Sequence, residues 1–241
     1  MATFMVAISF CGMSSVKKAG GLTLNFSNYV GDNLLQLDSV QYKNELAQQF
    51  TISNLKYYVG KFRLISANGL VYKDDNYFLV NAAEPSSLNF FLADIPIADY
   101  TSISFTLGVD SIDNCSGVQT GALDPINGMF WAWNTGYVFL KLEGKAKSSV
   151  SSGNMFEYHI GGYKAPHNCI RIITIDLQNS PLKIASERYN LIALKTDVLE
   201  ILKTPTTINF SNLSSVIDFH NATTIADNYK DMFRLLYVKN E

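Results

Sequence analysis

The sequence is short of charge, of cysteine and of histidine, and each shortage excludes something. Charged residues fill 17% of the 241 positions, Lys+Arg 19 against Asp+Glu 21, for a formal net charge of -2. The basic residues are scattered, whereas phosphate binding needs clustered positive charge, so nucleic acid is not an expected partner. Three cysteines without a Cys-x-x-Cys leave zinc ribbons and thioredoxin chemistry without a motif. His159, His167 and His220 show neither His-x-His nor His-Glu-x-x-His spacing, so a hydrolytic zinc centre has no signature. Gly-x-Ser-x-Gly, the P-loop and the dinucleotide fingerprint are all missing. "DPINGM" and "DSIDN" hold carboxylates near Asn and Gly but lack EF-hand spacing. With no acid–base or nucleophile constellation visible, an enzyme is not expected. A glycosidase would need a cleft with paired carboxylates, and such a pair need not be close in sequence.

No run of apolar residues approaches the roughly 20 needed to span a bilayer. The opening, Ala2 to Met13, is apolar and about as long as a signal-peptide core, with Ser14, Ser15, Lys17 and Lys18 after it. A charged segment before it is missing. Residues 1–20 therefore read as a signal or lipoprotein-type leader, with Cys11 the candidate for a lipid anchor, against the alternative of an N-terminal strand. Residues 21–241 read as a single β-rich domain. The expected location is the periplasm or cell envelope, with membrane contact only through such an anchor. With Cys11 removed or lipidated, Cys115 and Cys169 remain as a pair, and in an oxidising compartment a disulfide is the default.

What is present is apolar and aromatic, 47% hydrophobic and 12% aromatic, enough to bury a large core. Period-two alternation dominates. Leu22, Leu24 and Phe26 share one face, and Phe50 to Ser66 is strand-like with a bend expected near Asn54 or Gly60. Asn68–Gly69 is a turn signal. "LNFFLADI", "SISFTLGVD", "FWAWNTGYVFLKLEG", "FEYHIGG", "CIRIITIDL" and "YNLIALKT" follow as strands, with turn residues between them. The expected fold class is all-β, mainly an antiparallel β-sandwich, with a few short helices and one near the C-terminus. Ser39 to Gln49 reads as a short helix or loop, and "DVLEILK" as a short helix. Ile225, Tyr229, Met232 and Phe233 fall at helical spacing through to the chain end.

The only two tryptophans, Trp131 and Trp133, sit one residue apart, preceded by Met129 and Phe130. On "FEYHIGG", alternation sends His159 opposite to Phe156 and Tyr158. Gly161 and Gly162 after it allow close backbone approach. His167 and His220 lie in polar loops and read as solvated.

Taken together, "SFTLGVDSIDNCSGVQTGALDPINGMFWAWNTGYVFLKLEG" and "FEYHIGG" resemble the MbnP-like family of bacterial extracytoplasmic copper-binding proteins. The shared set is Gly-Val, Asn, Met-x-Trp-x-Trp, Gly-Tyr and His-x-Gly. The resemblance implies copper handling, with Cu(I) the expected ion. It also implies that one tryptophan can be oxidised to kynurenine by a partner di-haem peroxidase-like enzyme. By position, Trp131 would be the modified residue, Trp133 its packing partner with Met129 in support, and His159 a ligand. Intact indole offers an N–H and no ligand lone pair, whereas kynurenine offers an amine and a carbonyl. The chain departs from the family where copper-binding members carry a histidine after the asparagine, because Asn114 is followed by Cys115. Cys115 is then a thiolate ligand or the disulfide partner of Cys169, two readings that compete. The alternative from another class is a cell-envelope ligand-binding or interaction module without metal, its paired tryptophans serving as core.

Overall fold

The alternation at Leu22, Leu24 and Phe26 folds as it reads, into a long strand whose three apolar side chains are fully buried. The fold is seen in a computed structural model that describes residues 19–131, 136–186 and 188–241. Its strands are β1 (Ala19–Val30), β2 (Asn33–Leu34), β3 (Tyr42–Lys43), β4 (Gln49–Ser66) and β5 (Val71–Asn81). Next come β6 (Asn89–Pro96), β7 (Ala98–Leu107), the short helix α1 (Ser111–Cys115), β8 (Phe130–Trp131) and β9 (Gly136–Ala146). The remainder is β10 (Met155–Gly161), β11 (Arg171–Asp176), β12 (Leu182–Ile184), β13 (Tyr189–Asp197), β14 (Ser215–Val216), helix α2 (Ala222–Tyr229) and β15 (Phe233–Lys239). Most of residues 1–20, Cys11 included, lie outside the described residues, and β1 begins at Ala19, two residues before the expected domain start. Among the described residues no helix is long and apolar enough to cross a membrane.

Two sheets hold the strands. The smaller runs β15-β13-β1-β2, with β6 also on β1, and its central β1–β13 pair is parallel. The larger runs β11-β7-β4-β9-β10-β14, with β3 and β5 also on β4, β12 on β7 and β8 on β9. Pairing is otherwise antiparallel except for the short β10–β14 contact. The fold is all-β and sandwich-like, as expected. β4 is irregular at both anticipated points, with register shifts at Ile52/Asn54 against β9 and at Gly60/Phe62 against β5. Phe26 and Phe233 of the smaller sheet meet Phe105 of the larger one in the core, and Phe105 in turn meets Phe62 of its own sheet. The buried Tyr57 hydroxyl crosses the same gap, 2.9 Å from Asn28 Oδ1 and 3.0 Å from Thr196 Oγ1.

Two local expectations change and one is decided. Residues 39–49, read as a short helix or loop, form turns and the short β3. The C-terminal helix stops at Tyr229, and Phe233–Lys239 is a strand on β13, Phe233 opposite Thr196 and Lys239 opposite Leu191, with a register shift between Leu235 and Tyr237. The run from Phe130 is not one strand. β8 pairs antiparallel with β9, Phe130 opposite Tyr137 and Trp131 opposite Gly136, so the chain reverses between them. Trp133 lies outside the described residues. "DVLEILK" does form a short helix, a 3-10 turn over Val198–Leu202 capped by Asp197.

Candidate functional site

Trp131 is presented by a segment that the larger sheet holds at many points. After β7, the Asp110 side chain accepts from the Asp113 N–H and starts α1. Within α1, buried Asn114 ties three strands of chain together. Its Oδ1 accepts from the Tyr137 N–H at 3.0 Å, and its Nδ2 donates to the carbonyls of Val109 and Asp110. The Tyr58 and Tyr137 hydroxyls donate to the carbonyls of Ala122 and Leu123 at 2.9 and 2.8 Å. Lys56 and Lys141 donate to the carbonyls of Asn127 and Gly128 at 3.2 and 2.7 Å. Gly128 takes φ 70°, the left-handed turn that admits glycine without strain. Met129 follows, fully buried, its carbonyl accepting from Val138 N–H.

The Trp131 indole is 6% exposed and lies on β10 over Gly161. A Cβ at Gly161 would stand 2.6 Å from the indole and 2.5 Å from the Tyr137 carbonyl, so the close approach needs glycine there. On its other side Trp131 helps line a pocket of about 230 Å³ with Asn114, Tyr137, Tyr163, His167 and Phe219. Phe219 meets Trp131 edge-on at 5.8 Å and stacks on His167 at 5.9 Å. His167 is solvent-exposed, as its loop sequence suggested, yet it forms part of the pocket wall. Cys115 is exposed at the end of α1, and its thiol reaches the Tyr163 hydroxyl at 3.4 Å. It therefore stands beside a residue that lines the pocket.

His159 is not among the residues lining that pocket. It stands two residues before Gly161 on the outward side of β10, while Phe156, Tyr158 and Ile160 fill the core. Two residues of strand are roughly 7 Å. Its Nε2 lies 2.6 Å from Glu143 Oε1, and Asn54 Nδ2 donates to Glu143 Oε2 at 2.9 Å. The hydrogen bond from His159 is the main cause holding the Glu143 carboxyl down from 4.5 to about 2. Burial opposes it and Asn54 assists. A carboxylate on one imidazole nitrogen is the partner expected of a metal-ligating histidine. Neither Glu143 nor Asn54 was readable as part of the site, because their role depends on cross-strand register.

This pair makes stability depend on acid. A carboxyl depressed in the folded state contributes stability that is fully present above its unfolded value and is lost as pH falls through its folded value. Glu143→Gln should therefore be less stable than the parent at pH 7. The gap should narrow between about pH 4.5 and about pH 2, where the parent carboxyl also becomes neutral. Urea unfolding of both proteins across that range checks it, and a gap that stays constant with pH would contradict the lowered Glu143 carboxyl.

Cys115 and Cys169 are free thiols in the structure, so the expected disulfide is not formed. Their settings differ. Cys169 is buried, its N–H donates to the Gly162 carbonyl at 2.8 Å, its carbonyl accepts from the Tyr229 hydroxyl, and burial pushes its thiol up to about 12. Such a thiol stays protonated and unreactive. Cys115 faces solvent and Tyr163.

Among the described residues no three His, Cys, Asp or Glu side chains gather closely enough to hold a metal ion. Imidazole and thiol groups near Trp131 suit a soft monovalent ion in kind, but these residues alone do not complete a set.

A family model described as MbnP matches residues 19–221. Among solved structures, MbnP from Methylosinus trichosporium shares the fold with a TM-score of 0.57 and 14% identity. That similarity covers 92% of this chain and 99% of that one. No curated protein matches the chain. The fold, the Trp131 segment and a family match over most of the length agree, and the chain belongs to the MbnP family.

Proposed function

We propose that the protein binds copper outside the cytoplasm and serves in copper handling, without catalysis of its own. The observation that carries this reading is His159. One ring nitrogen is held by Glu143 at 2.6 Å, and the strand it stands on is covered two residues later by the Trp131 indole. His159 would be the imidazole donor, and Cys115 a thiol donor at the rim. The described side chains fall short of three donors, so the set needs oxidation of Trp131 to kynurenine, which turns an N–H donor into an amine and a carbonyl. In that four-electron oxidation the indole C2–C3 bond is cleaved with uptake of two oxygen atoms from dioxygen or peroxide. Hydrolysis then releases C2 as formate, a net loss of one carbon and gain of one oxygen, about 4 Da in mass. A di-haem peroxidase-like partner would supply the oxidising equivalents.

A second reading draws on the aromatic pocket itself, which would bind a small organic molecule without metal. Its volume of about 230 Å³ is below the roughly 300–1,000 Å³ usual for organic ligands, which favours the metal reading. Intact and peptide mass of protein from its native host, followed by Cu(I) titration, separates the two. The expected result is a gain of about 4 Da on the Trp131 peptide, with Cu(I) binding weakened at least about tenfold by His159→Ala. Native protein that carries no such mass and binds no Cu(I) overturns the copper reading.

A further inference from the structure

We infer that Lys141 and Lys56 are positioning residues for Trp131, pinning the turn that delivers it from the outward face of the larger sheet. In the strand register Lys56 on β4 stands opposite Lys141 on β9, and Lys141 opposite His159 on β10. The three cross-strand neighbours share one face, where two ammonium groups side by side are unfavourable unless each finds a partner. Their partners are carbonyls of one turn. Lys141 Nζ donates to Gly128 at 2.7 Å and Lys56 Nζ to Asn127 at 3.2 Å. Those two residues immediately precede the Met129–Phe130–Trp131 run, and the next backbone link to the sheet is Val138 N–H to the Met129 carbonyl at 2.9 Å.

Both lysine stems are partly buried, so neither ammonium simply trails in solvent. Glu143, two residues after Lys141 on the same face, is held by His159 and Asn54 and faces the same group of cations. The array Asn54–Glu143–His159–Lys141–Lys56 thus joins the His159 side of β10 to the turn before Trp131. In this arrangement the lysines touch no ligand and act through the backbone, so their effect should appear in the indole before any metal is added.

The inference rests on the reading that Trp131 is the working side chain, but its test does not require copper. In ¹⁵N-labelled, metal-free protein the indole Nε1–H resonance of Trp131 is assigned by comparison with Trp131→Phe. Lys141→Met keeps the side-chain volume and removes the donor and charge. It should shift that resonance and speed indole hydrogen exchange about tenfold, with Tm close to the parent's. Lys141→Arg, which keeps a charged N–H donor, should restore both, and Lys56→Met should give a smaller shift in the same direction. A Trp131 resonance at the parent's position in both methionine variants overturns the inference, as does a shift that arginine fails to restore. Cu(I) titration of the natively modified protein reads the functional proposal separately. Its failure with an intact indole response would sink copper binding and leave the clamp standing.

Discussion

Gly161→Ala is expected to push Trp131 off β10 and to weaken Cu(I) binding by the natively modified protein roughly 10–100-fold. That is the range that follows disturbance of the groups supporting a metal site. The added methyl has two obstacles. The Tyr137 carbonyl would be 2.5 Å away and the indole 2.6 Å, both far inside van der Waals contact. Backbone carbonyls in a paired strand give little, so the indole must move. Overpacking of this kind costs about 1–3 kcal/mol, a loss of roughly 2–4 °C in Tm per kcal/mol for a domain of this size. Thermal unfolding and the Trp131 indole resonance of unmodified protein, with Cu(I) titration of the natively modified protein, measure the three effects. An indole that stays in place with unchanged affinity would show that the close approach over Gly161 is not part of the site.

The largest loss of stability is expected from Phe105→Ala, about 3–5 kcal/mol. Phe105 is 1% exposed and stands where the two sheets meet. Its ring centroid lies 5.1 Å from Phe233, 5.5 Å from Phe26 and 5.6 Å from Phe62, the first two edge-on. Truncation removes the buried ring and leaves a void that two sheets, each fixed by its own hydrogen bonds, can close only in part. Against a typical total of about 5–15 kcal/mol, this is a large share of the stability. Denaturant unfolding should show a lower midpoint with an unchanged slope. Phe105→Leu should lose less, because it leaves a smaller void.

How much of this was legible depended on whether the information was local. Leu22, Leu24 and Phe26 announce a strand with one buried face, and β1 is that strand. The irregularities of β4 at Asn54 and Gly60 were legible because breaks in pattern are local as well. The reversal between β8 and β9 was not, since Phe130–Trp131 and the residues after Gly136 carry the same alternation and read as one continuous strand. The C-terminal segment failed for a related reason. Ile225, Tyr229, Met232 and Phe233 satisfy a helical period, while Phe233 also opens a segment that β13 can pair with, and pairing with β13 won.

The candidate site divides in the same way. His159 and Trp131 stand out along the chain because histidine and tryptophan are rare in it. Glu143 and Asn54 were missed because nothing along the chain joins positions 54, 143 and 159. Only the register of β4, β9 and β10 does. His167 reads as solvated and is solvated, yet stacking on Phe219 sets it in the wall around Trp131. Cys115 and Cys169 looked like partners on oxidation chemistry alone. The fold gives one an exposed helix end and the other the core.

The parallel pairing of β1 with β13, Gly21 opposite Tyr189 through Tyr29 opposite Asp197, also bears on how the protein is made. The first described strand to leave the ribosome has no neighbour on that side until a segment about 170 residues later has emerged. Until then Leu22, Leu24 and Phe26 belong to a strand with one open edge, available to any other nascent chain. Closure of the smaller sheet is therefore a late event, because it waits for a segment far along the chain. A polypeptide that ended before residue 189 would hold most of the larger sheet and a β1 paired with β2 and β6 on one edge only, a product suited to clearance by proteases or to aggregation.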